Sequence, residues 1–161
     1  KDETILLRMK ESYDGAEPSP NSVALLNLSR LAQMTDREEY REKADRTLAA
    51  FHGILTSAPQ AMPRMMAAFS FHLAKPRRIV VAGKPGAADT RALLRAIHEP
   101  FVPHKVLMLA DGANAQRALE SRFEFLASLH PVDGKATAYV CENRTCGLPI
   151  TEPSLLRERL G

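Results

Sequence analysis

The chain is poor in aromatic side chains: it has no tryptophan, three tyrosines and six phenylalanines among 161 residues. Sites for sugars or for nucleic acids commonly place aromatic faces beside polar groups, so this scarcity argues against a stacking platform within the chain. Long hydrophobic runs are also missing, because no apolar stretch approaches the ~20 residues that a membrane-spanning helix needs. A membrane is therefore not expected as a partner.

Cysteine and net charge are equally modest. Two cysteines are too few for a disulfide-held scaffold, and they favour a reducing, cytoplasmic location. The net charge is +3, and the whole surplus lies in residues 76–161, with 12 basic and 9 acidic side chains. A dedicated nucleic-acid binder would carry a stronger basic patch, so no nucleic-acid partner is expected. The remaining composition, 45% hydrophobic and 25% charged, is typical of a globular domain.

The first half of the chain has helical patterns. A polar loop at residues 13–20 leads into a helix predicted to end near Met34, with Asn21 or Ser22 as its cap. This helix is apolar on most sides, which is typical of a helix packed on several faces. Two more helices are predicted at about 37–56 and 59–73. Their apolar stripes are predicted to contain Tyr40, Ala44, Leu48, Phe51 and Leu55 in the second helix, and Met62, Met66, Phe69 and Leu73, with Met65 beside them, in the third.

The second half, after a boundary at residues 75–78, alternates short apolar runs with helical segments. Strands are predicted at 79–82, 106–110 and 137–140, and helices at 89–98, 115–129 and 153–160, the last capped by Thr151 or Ser154. Continuous apolar runs are typical of strands that are buried on both faces. We therefore predict an α+β chain, helical over residues 1–76, with a small α/β subdomain over residues 77–161. Its sheet is predicted to be three-stranded and mainly parallel.

Three polar residues at the start of the first helix are the candidate catalytic group: Asp14, Glu17 and Asn21. Two carboxylates in a partly dry cavity can acquire different pKa values and act as acid and base. The alternative is purely structural, because Asp-Gly forms turns, Glu-Pro-Ser-Pro is an extended loop and asparagine caps helices. From these residues alone the structural interpretation is favoured.

Other motifs are weaker. Cys141 and Cys146 form a C-x4-C after the third predicted strand; they are a possible redox pair, although unpaired thiols are the favoured interpretation. A zinc site would need about two more ligands, so neither cysteine is expected to bind zinc.

Residues 83–86 (GKPG) follow the first predicted strand but lack the spacing of a phosphate-binding loop, so a plain strand-to-helix turn is favoured. We find no nucleophile–base pair and no cofactor motif, and expect no cofactor and no metal.

Four segments together suggest a family. They are YDGAEPSPNSVALLNLSRL, RRIVVAGKPGAADTRALLRAI, PHKVLMLADG and ATAYVCENRTCGLPITEPSLLRERL. They resemble the C-terminal part of the spermatogenesis-associated protein 20 family of thioredoxin domain-containing proteins, in order and over nearly the whole chain. DGAEPSxNS and AYVCENxxC are the most specific matches. Pro20 departs from the pattern, where glycine or alanine is expected, and should stiffen the loop.

The resemblance implies a larger protein with an N-terminal thioredoxin-like domain and a six-hairpin (α/α) toroid, similar to sugar epimerases and six-hairpin glycosidases. This chain would hold the last helical hairpins and an α/β tail, and residues 4–10 would be a strand of a β-hairpin. Asp14, Glu17 and Asn21 would face the mouth of the toroid, which brings the catalytic and structural interpretations level. Cys141 and Cys146 are not the cysteines of the family's thioredoxin domain.

Two functions follow from the resemblance. The longer protein would act on carbohydrate or a related small molecule, with this segment inactive by itself because it lacks a closed cavity. Alternatively it would be a non-catalytic scaffold linked to redox or protein handling. The expected partner is the remainder of the longer protein, or a second copy bound through residues 13–74. Either would cover apolar surface expected around Val23, Leu26 and Met34, or around Met62, Met65 and Met66.

Overall fold

The computed structural model describes residues 12–74, 76–112, 123–142 and 145–161. Within these ranges the chain is mixed α+β, as predicted, with five α-helices and a four-stranded sheet. It divides into two compact units, the first comprising Lys1–Ala32 and Arg37–Ala74 and the second Gln33–Asp36 and Lys75–Gly161. No helix among the described residues is both long enough and apolar enough to cross a bilayer. The proposed strand at residues 4–10 lies outside the described residues.

The helices of the first half are α1 (Pro20–Thr35), α2 (Glu38–Ser57) and α3 (Pro63–Leu73), with a short 3-10 helix at Pro59–Ala61. Ser19 caps α1: its Oγ accepts the N–H of Ser22 at 3.2 Å. The prediction that Asn21 or Ser22 is the cap is therefore wrong, because Pro20, which has no N–H to satisfy, takes the first helical position. The predicted helix at 59–73 is in fact two helices, and Pro63 begins the second of them.

The buried face of α3 differs from the predicted methionine stripe. Met65, Ala68 and Phe71 are its buried residues, whereas Met66 and Phe69 are half-buried and Leu73 is 65% exposed. Met62 has non-helical backbone angles at the N-cap, so counting helical turns from it selects the wrong face. The expectation of exposed apolar surface at Leu26, Met62 and Met65 is wrong too, because these side chains are at most 6% exposed. Val23 is exposed, and Met34 and Met66 are half-buried.

The second unit is built on a sheet of strand order β2-β1-β3-β4, with β1 (Arg77–Ala82) central. β1 pairs in parallel with β2 (Lys105–Ala110), as predicted, but antiparallel with β3 (Thr137–Glu142). β3 pairs antiparallel with the two-residue strand β4 (Thr145–Cys146). The predicted three-stranded, mainly parallel sheet is therefore wrong, because the sheet formed by the described residues has four strands, and one of its three strand pairs is parallel.

The direction of β3 follows from where the chain re-enters the sheet. Ala110, the last residue of β2, and Thr137, the first of β3, both lie beside Ala82 at the same end of β1. The chain thus returns without crossing to the other end of the sheet, which a parallel strand would require. Before β3 it makes a tight turn closed by the Val132–Lys135 bridge, with Asp133 and Gly134 at positive φ.

Apolar side chains cover both faces of the sheet. Ile79 and Val81 face α4 (Ala88–His98) and α5 (Pro153–Leu160), while Val80 and Ala82 face the opposite core around a 3-10 helix at Glu124–Ser128. Burial on both faces explains the uninterrupted apolar run of β1. Of the predicted helix at 115–129, residues 115–122 lie outside the described residues, and the described remainder contains the 3-10 helix rather than an α-helix. Glu152, rather than Thr151 or Ser154, occupies the N-cap position of α5.

Gly83, directly after β1, gives a testable packing constraint. A Cβ at this position would lie 2.5 Å from Thr90 Oγ1 and 2.9 Å from Ala136 Cβ. We expect Gly83→Ala to lower the free energy of unfolding by about 2 kcal/mol, because α4 and the segment entering β3 must both shift. Urea denaturation followed by circular dichroism measures the change.

Gly53, an exposed residue one turn before the end of α2, is the matched control, since no neighbouring atom lies within 4 Å of an added Cβ. Gly53→Ala should raise the free energy of unfolding by about 0.5–1 kcal/mol, because alanine loses less backbone entropy in a helix. If both alanine variants shift stability in the same direction, the close approach at Gly83 is not a real constraint.

Candidate functional site

Asp14 is buried, and its carboxylate accepts hydrogen bonds from two separate segments. Oδ1 accepts the N–H of Ser19 at 2.8 Å, and Oδ2 accepts the N–H groups of Arg64 at 2.8 Å and Met65 at 3.1 Å. The N–H of Asp14 in turn donates to the carbonyl of Ala61 at 2.8 Å. Asp14 therefore caps the first turn of α3 from about 50 residues away in the chain and fixes residues 14–19 against it.

This environment keeps Asp14 ionised. Burial works to raise its pKa, but donors at Ser19, Ser22, Met65 and Arg64 outweigh burial and hold the pKa below its ordinary value. An aspartate that transfers protons near neutral pH needs a raised pKa instead. The contacts of Asp14 are therefore those of a carboxylate that caps a helix, which is the structural alternative considered from the sequence.

Glu17 lies on the open side of the same loop. It is exposed, and within the described part of the chain no hydrogen bond or ion pair holds its carboxylate. Together with Tyr13, which is 66% exposed, it lines a depression of about 430 Å³. Among the described residues, its lining consists of Ser12, Tyr13, Gly15, Glu17, Pro18 and Pro20. A ligand here would meet one aromatic face, one carboxylate and two proline rings.

Asn21 lines a different cleft, between α1 and α2. This cleft has a volume of about 390 Å³ and includes Lys43, Arg46 and Thr47. Asn21 does not line the depression beside Glu17, and neither cavity is lined by Asp14. The three candidate catalytic residues are therefore near one another in sequence, but the structure does not direct them into one shared site.

A serine, a histidine and an aspartate form a hydrogen-bonded chain that the sequence did not reveal. Ser29 Oγ lies 3.1 Å from His72 Nδ1, and His72 Nε2 lies 2.8 Å from Asp45 Oδ1. The prediction that the chain has no nucleophile–base pair is thus wrong, because a serine hydroxyl lies within hydrogen-bond distance of a histidine ring. No sequence motif could reveal this group, because its members lie on three helices. His72 is 43 residues from Ser29 and 27 residues from Asp45. Ser29 is only 4% exposed in the middle of α1, so a substrate has no access to its hydroxyl, and the group joins the three helices.

An apolar groove runs between α2 and α3. It has a volume of about 560 Å³ and is lined by Leu48, Ala49, His52, Leu55, Thr56, Met66 and Phe69. The predicted stripe residues Leu48 and Leu55 are half-buried here, while Ala44 and Phe51 of the same helix are fully buried. The apolar face of α2 is therefore wider than the part that α1 and α3 cover.

The GKPG turn at residues 83–86 is a strand-to-helix turn, as favoured from the sequence. The Asp89 carboxylate accepts the N–H groups of Ala136 and Thr90, each at 2.8 Å, and these bonds hold the pKa of Asp89 below its ordinary value. A negative charge thus already occupies the start of α4, where a phosphate would need to bind. Within the described residues no group of three or more His, Cys, Asp or Glu side chains is placed to hold a metal ion.

Cys141 and Cys146 are joined by a disulfide. The two residues lie directly opposite each other on β3 and β4, with their Cα atoms 3.9 Å apart. The favoured interpretation as unpaired thiols is wrong, because the antiparallel hairpin brings the two side chains to the same face.

The depressed pKa values of Asp14 and Asp89 predict a specific pH dependence. A carboxylate whose pKa is lower in the folded state stabilises the fold above its unfolded pKa of about 3.9, and this stabilisation is lost as pH falls through the folded value. Urea unfolding should therefore give a nearly constant free energy between about pH 7 and 5 and a decline beginning near pH 4. Asp14→Asn should weaken that decline. A main transition near pH 6 would instead identify histidine as the controlling group.

The chain was also compared with known proteins. It is 42% identical to spermatogenesis-associated protein 20 of rat, of mouse and of human over 154 residues, which is 96% of this chain. An uncharacterised protein of Caenorhabditis elegans is 27% identical over 157 residues. The chain spans only about a fifth of the length of these relatives. No protein-family profile and no solved structure matches. Over 96% of its length, the chain is therefore similar to a segment of spermatogenesis-associated protein 20.

Proposed function

We propose that this chain is a non-catalytic packing and binding segment, near the C-terminal end of a longer protein of the spermatogenesis-associated protein 20 type. The observation that carries the proposal is the carboxylate of Asp14, which uses both oxygens to hold Ser19 and the first turn of α3. The best sequence candidate for acid–base chemistry is thus occupied in supporting the fold. Glu17 and Asn21, which line separate cavities, do not replace it.

The rest of the longer protein is the partner we propose for the helical residues. Two residues connect α1 to α2 and five residues, including a short 3-10 helix, connect α2 to α3. Short connections are typical of successive helical hairpins, which supports their assignment to a larger (α/α) toroid. The groove lined by Leu48, Leu55 and Phe69 would then be covered by another hairpin of the same protein. A homodimer through residues 13–74 is the alternative occupant.

A second function, action on a carbohydrate or a related small molecule, is favoured by one observation. The exposed ring of Tyr13 lies in the same depression as the exposed Glu17. Sugars are commonly held by an aromatic face together with a polar group, although one ring offers little area. In this version the depression is one wall of a cavity that the rest of the longer protein closes.

Substrate consumption distinguishes the two functions. The full-length protein and the 161-residue chain would each be incubated with a pool of sugars and sugar phosphates, and consumption followed by mass spectrometry. The non-catalytic proposal expects no consumption by the 161-residue chain. It also expects Glu17→Gln in the full-length protein to change any turnover by less than about twofold, since the group would not act in the transition state.

Two outcomes would contradict this proposal. One is turnover by the 161-residue chain. The other is a loss of about a hundredfold or more in full-length turnover in Glu17→Gln at unchanged melting temperature, which would establish the second function. Lys84→Gln is the control, because Lys84 is also exposed but does not line the depression.

A further inference from the structure

The disulfide between Cys141 and Cys146 joins one buried and one exposed residue. Cys141 is 2% exposed and lies on β3, between β1 and β4. Cys146 is exposed and lies on β4, the outermost strand of the sheet. The same bond therefore links a residue that the protein covers to a residue that solvent reaches.

This asymmetry restricts which sulfur an external thiol can attack. A thiolate breaks a disulfide by approaching one sulfur from the side opposite the bond that breaks. Attack on Cys141 would have to come through the buried side of β3, where the residue is almost fully covered. Attack on Cys146 comes from solvent across the edge of the sheet. The exposed residue is thus the accessible electrophile.

The chain around Cys146 is open to a second molecule. Residues 145–149 are all exposed, and Leu148 is 87% exposed. This segment pairs irregularly with β3. The Gly147 N–H donates to the Val140 carbonyl and Ile150 pairs with Ala138. Three residue positions along the outer segment therefore correspond to two positions along β3. The extra residue bulges outward beside the disulfide, where it leaves the edge uncovered.

Opening the bond leaves most of the sheet unaffected. β3 keeps its antiparallel pairing with β1 over five residue pairs, and Ile150 keeps both backbone hydrogen bonds to Ala138. The bond spans only five positions along the chain, so the loop whose entropy it restricts is short. Its contribution to the fold is therefore local to the β3–β4 hairpin.

We propose that this disulfide is a thiol–disulfide exchange site, with Cys146 as the sulfur that an incoming thiol attacks and Cys141 as the buried leaving sulfur. The external thiolate forms a bond to Cys146 Sγ while the Cys141–Cys146 bond breaks, and its electron pair passes to Cys141 Sγ, which takes up a proton. A second thiol then attacks the mixed disulfide and releases Cys146. In sum, two thiols are oxidised to a disulfide and the protein disulfide is reduced to two thiols. This site is independent of the function proposed above.

Peptide mapping with glutathione as the probe tests the proposal. The native, oxidised chain would be treated with reduced glutathione, quenched in acid and digested. We expect the glutathione adduct on Cys146 to exceed that on Cys141 by at least about tenfold, since exchange follows the accessibility of the attacked sulfur. The preference should disappear in guanidinium chloride, where both residues are exposed.

Single-cysteine variants give a second readout. The lone Cys146 thiol in Cys141→Ser should react with iodoacetamide at least about tenfold faster than the lone Cys141 thiol in Cys146→Ser. Circular dichroism confirms that each variant is folded, and the wild-type mapping stands if one variant is not. An adduct mainly on Cys141 would overturn the proposal. So would a native disulfide that glutathione opens only after unfolding, or two free thiols in the isolated chain.

The source of the thiol is resolved by comparing two reductants. Leu148→Ser should leave the reaction with glutathione unchanged, because a small thiol needs no surface beside Cys146. If a protein dithiol is the natural reductant, the same variant should slow its reaction by about fivefold or more, since it removes the exposed apolar side chain beside the sulfur. If Leu148→Ser and the wild type react at equal rates with glutathione and also with the protein dithiol, small thiols are identified as the source.

Discussion

Replacing Arg78 with methionine should lower the free energy of unfolding by about 3 kcal/mol, because it removes one partner of a buried ion pair. Arg78 is 5% exposed on the central strand β1. Its guanidinium donates to Asp36 Oδ2 at 2.6 Å and to the carbonyl of Gln33 at 3.2 Å, and it stacks 3.9 Å from the ring centroid of Phe125. Asp36 is one-third exposed, so water would relieve part of the loss.

Guanidinium denaturation of two comparison variants separates charge from packing. Arg78→Lys keeps the charge but loses the planar stack and the forked donors, and should cost about 2 kcal/mol. Arg91→Met removes an exposed arginine of α4 and should change stability by less than about 0.5 kcal/mol. In a double-mutant cycle with Asp36→Asn, the double variant should lose less stability than the sum of the two single losses. The difference should be about 1 kcal/mol or more. Strict additivity would mean that the pair contributes nothing as a pair.

Replacing Asp14 with alanine should have an effect of similar size, about 3 kcal/mol, because three backbone N–H groups lose a charged acceptor at once. Asp14→Asn should cost about half as much, since it keeps one acceptor oxygen but turns an NH₂ group towards a donor. Hydrogen exchange of the Arg64 and Met65 amides is the decisive measurement. Both amides should exchange faster in Asp14→Ala.

Glu17→Ala is the control for Asp14. Glu17 belongs to the same loop but is exposed, and its replacement should change the free energy of unfolding by less than about 0.5 kcal/mol. If Glu17→Ala and Asp14→Ala destabilise the chain equally, the loop as a whole rather than the capping carboxylate supports α3.

Features that depend on near neighbours in sequence could be predicted. The helices α1, α2, α4 and α5 and the strands β1, β2 and β3 lie within about two residues of their predicted positions, because apolar periodicity and turn residues determine them locally. The apolar run of β1 also indicated correctly that it is buried on both faces.

Features that depend on distant partners could not be predicted. The role of Asp14 is decided by amides 50 and 51 positions away, and that of Ser29 by a histidine 43 positions away. The antiparallel direction of β3 depends on where a long connection returns, and the disulfide depends on the register of a strand of two residues. The predicted methionine stripe is wrong because α3 begins at Pro63 rather than at residue 59. The buried face is therefore a different set of residues from the one predicted.

The central place of β1 has a consequence for the order in which the chain can fold. Arg77 pairs with Lys105, 28 positions later, and Ala82 pairs with Thr137, 55 positions later. A strand with such remote partners gains its hydrogen bonds only after large loops have closed. During synthesis, β1 therefore leaves the ribosome with the backbone N–H and C=O groups of both edges unpaired, and one edge stays unpaired until residues 137–142 arrive. Throughout that interval the open edge and apolar faces of β1 favour association with another strand.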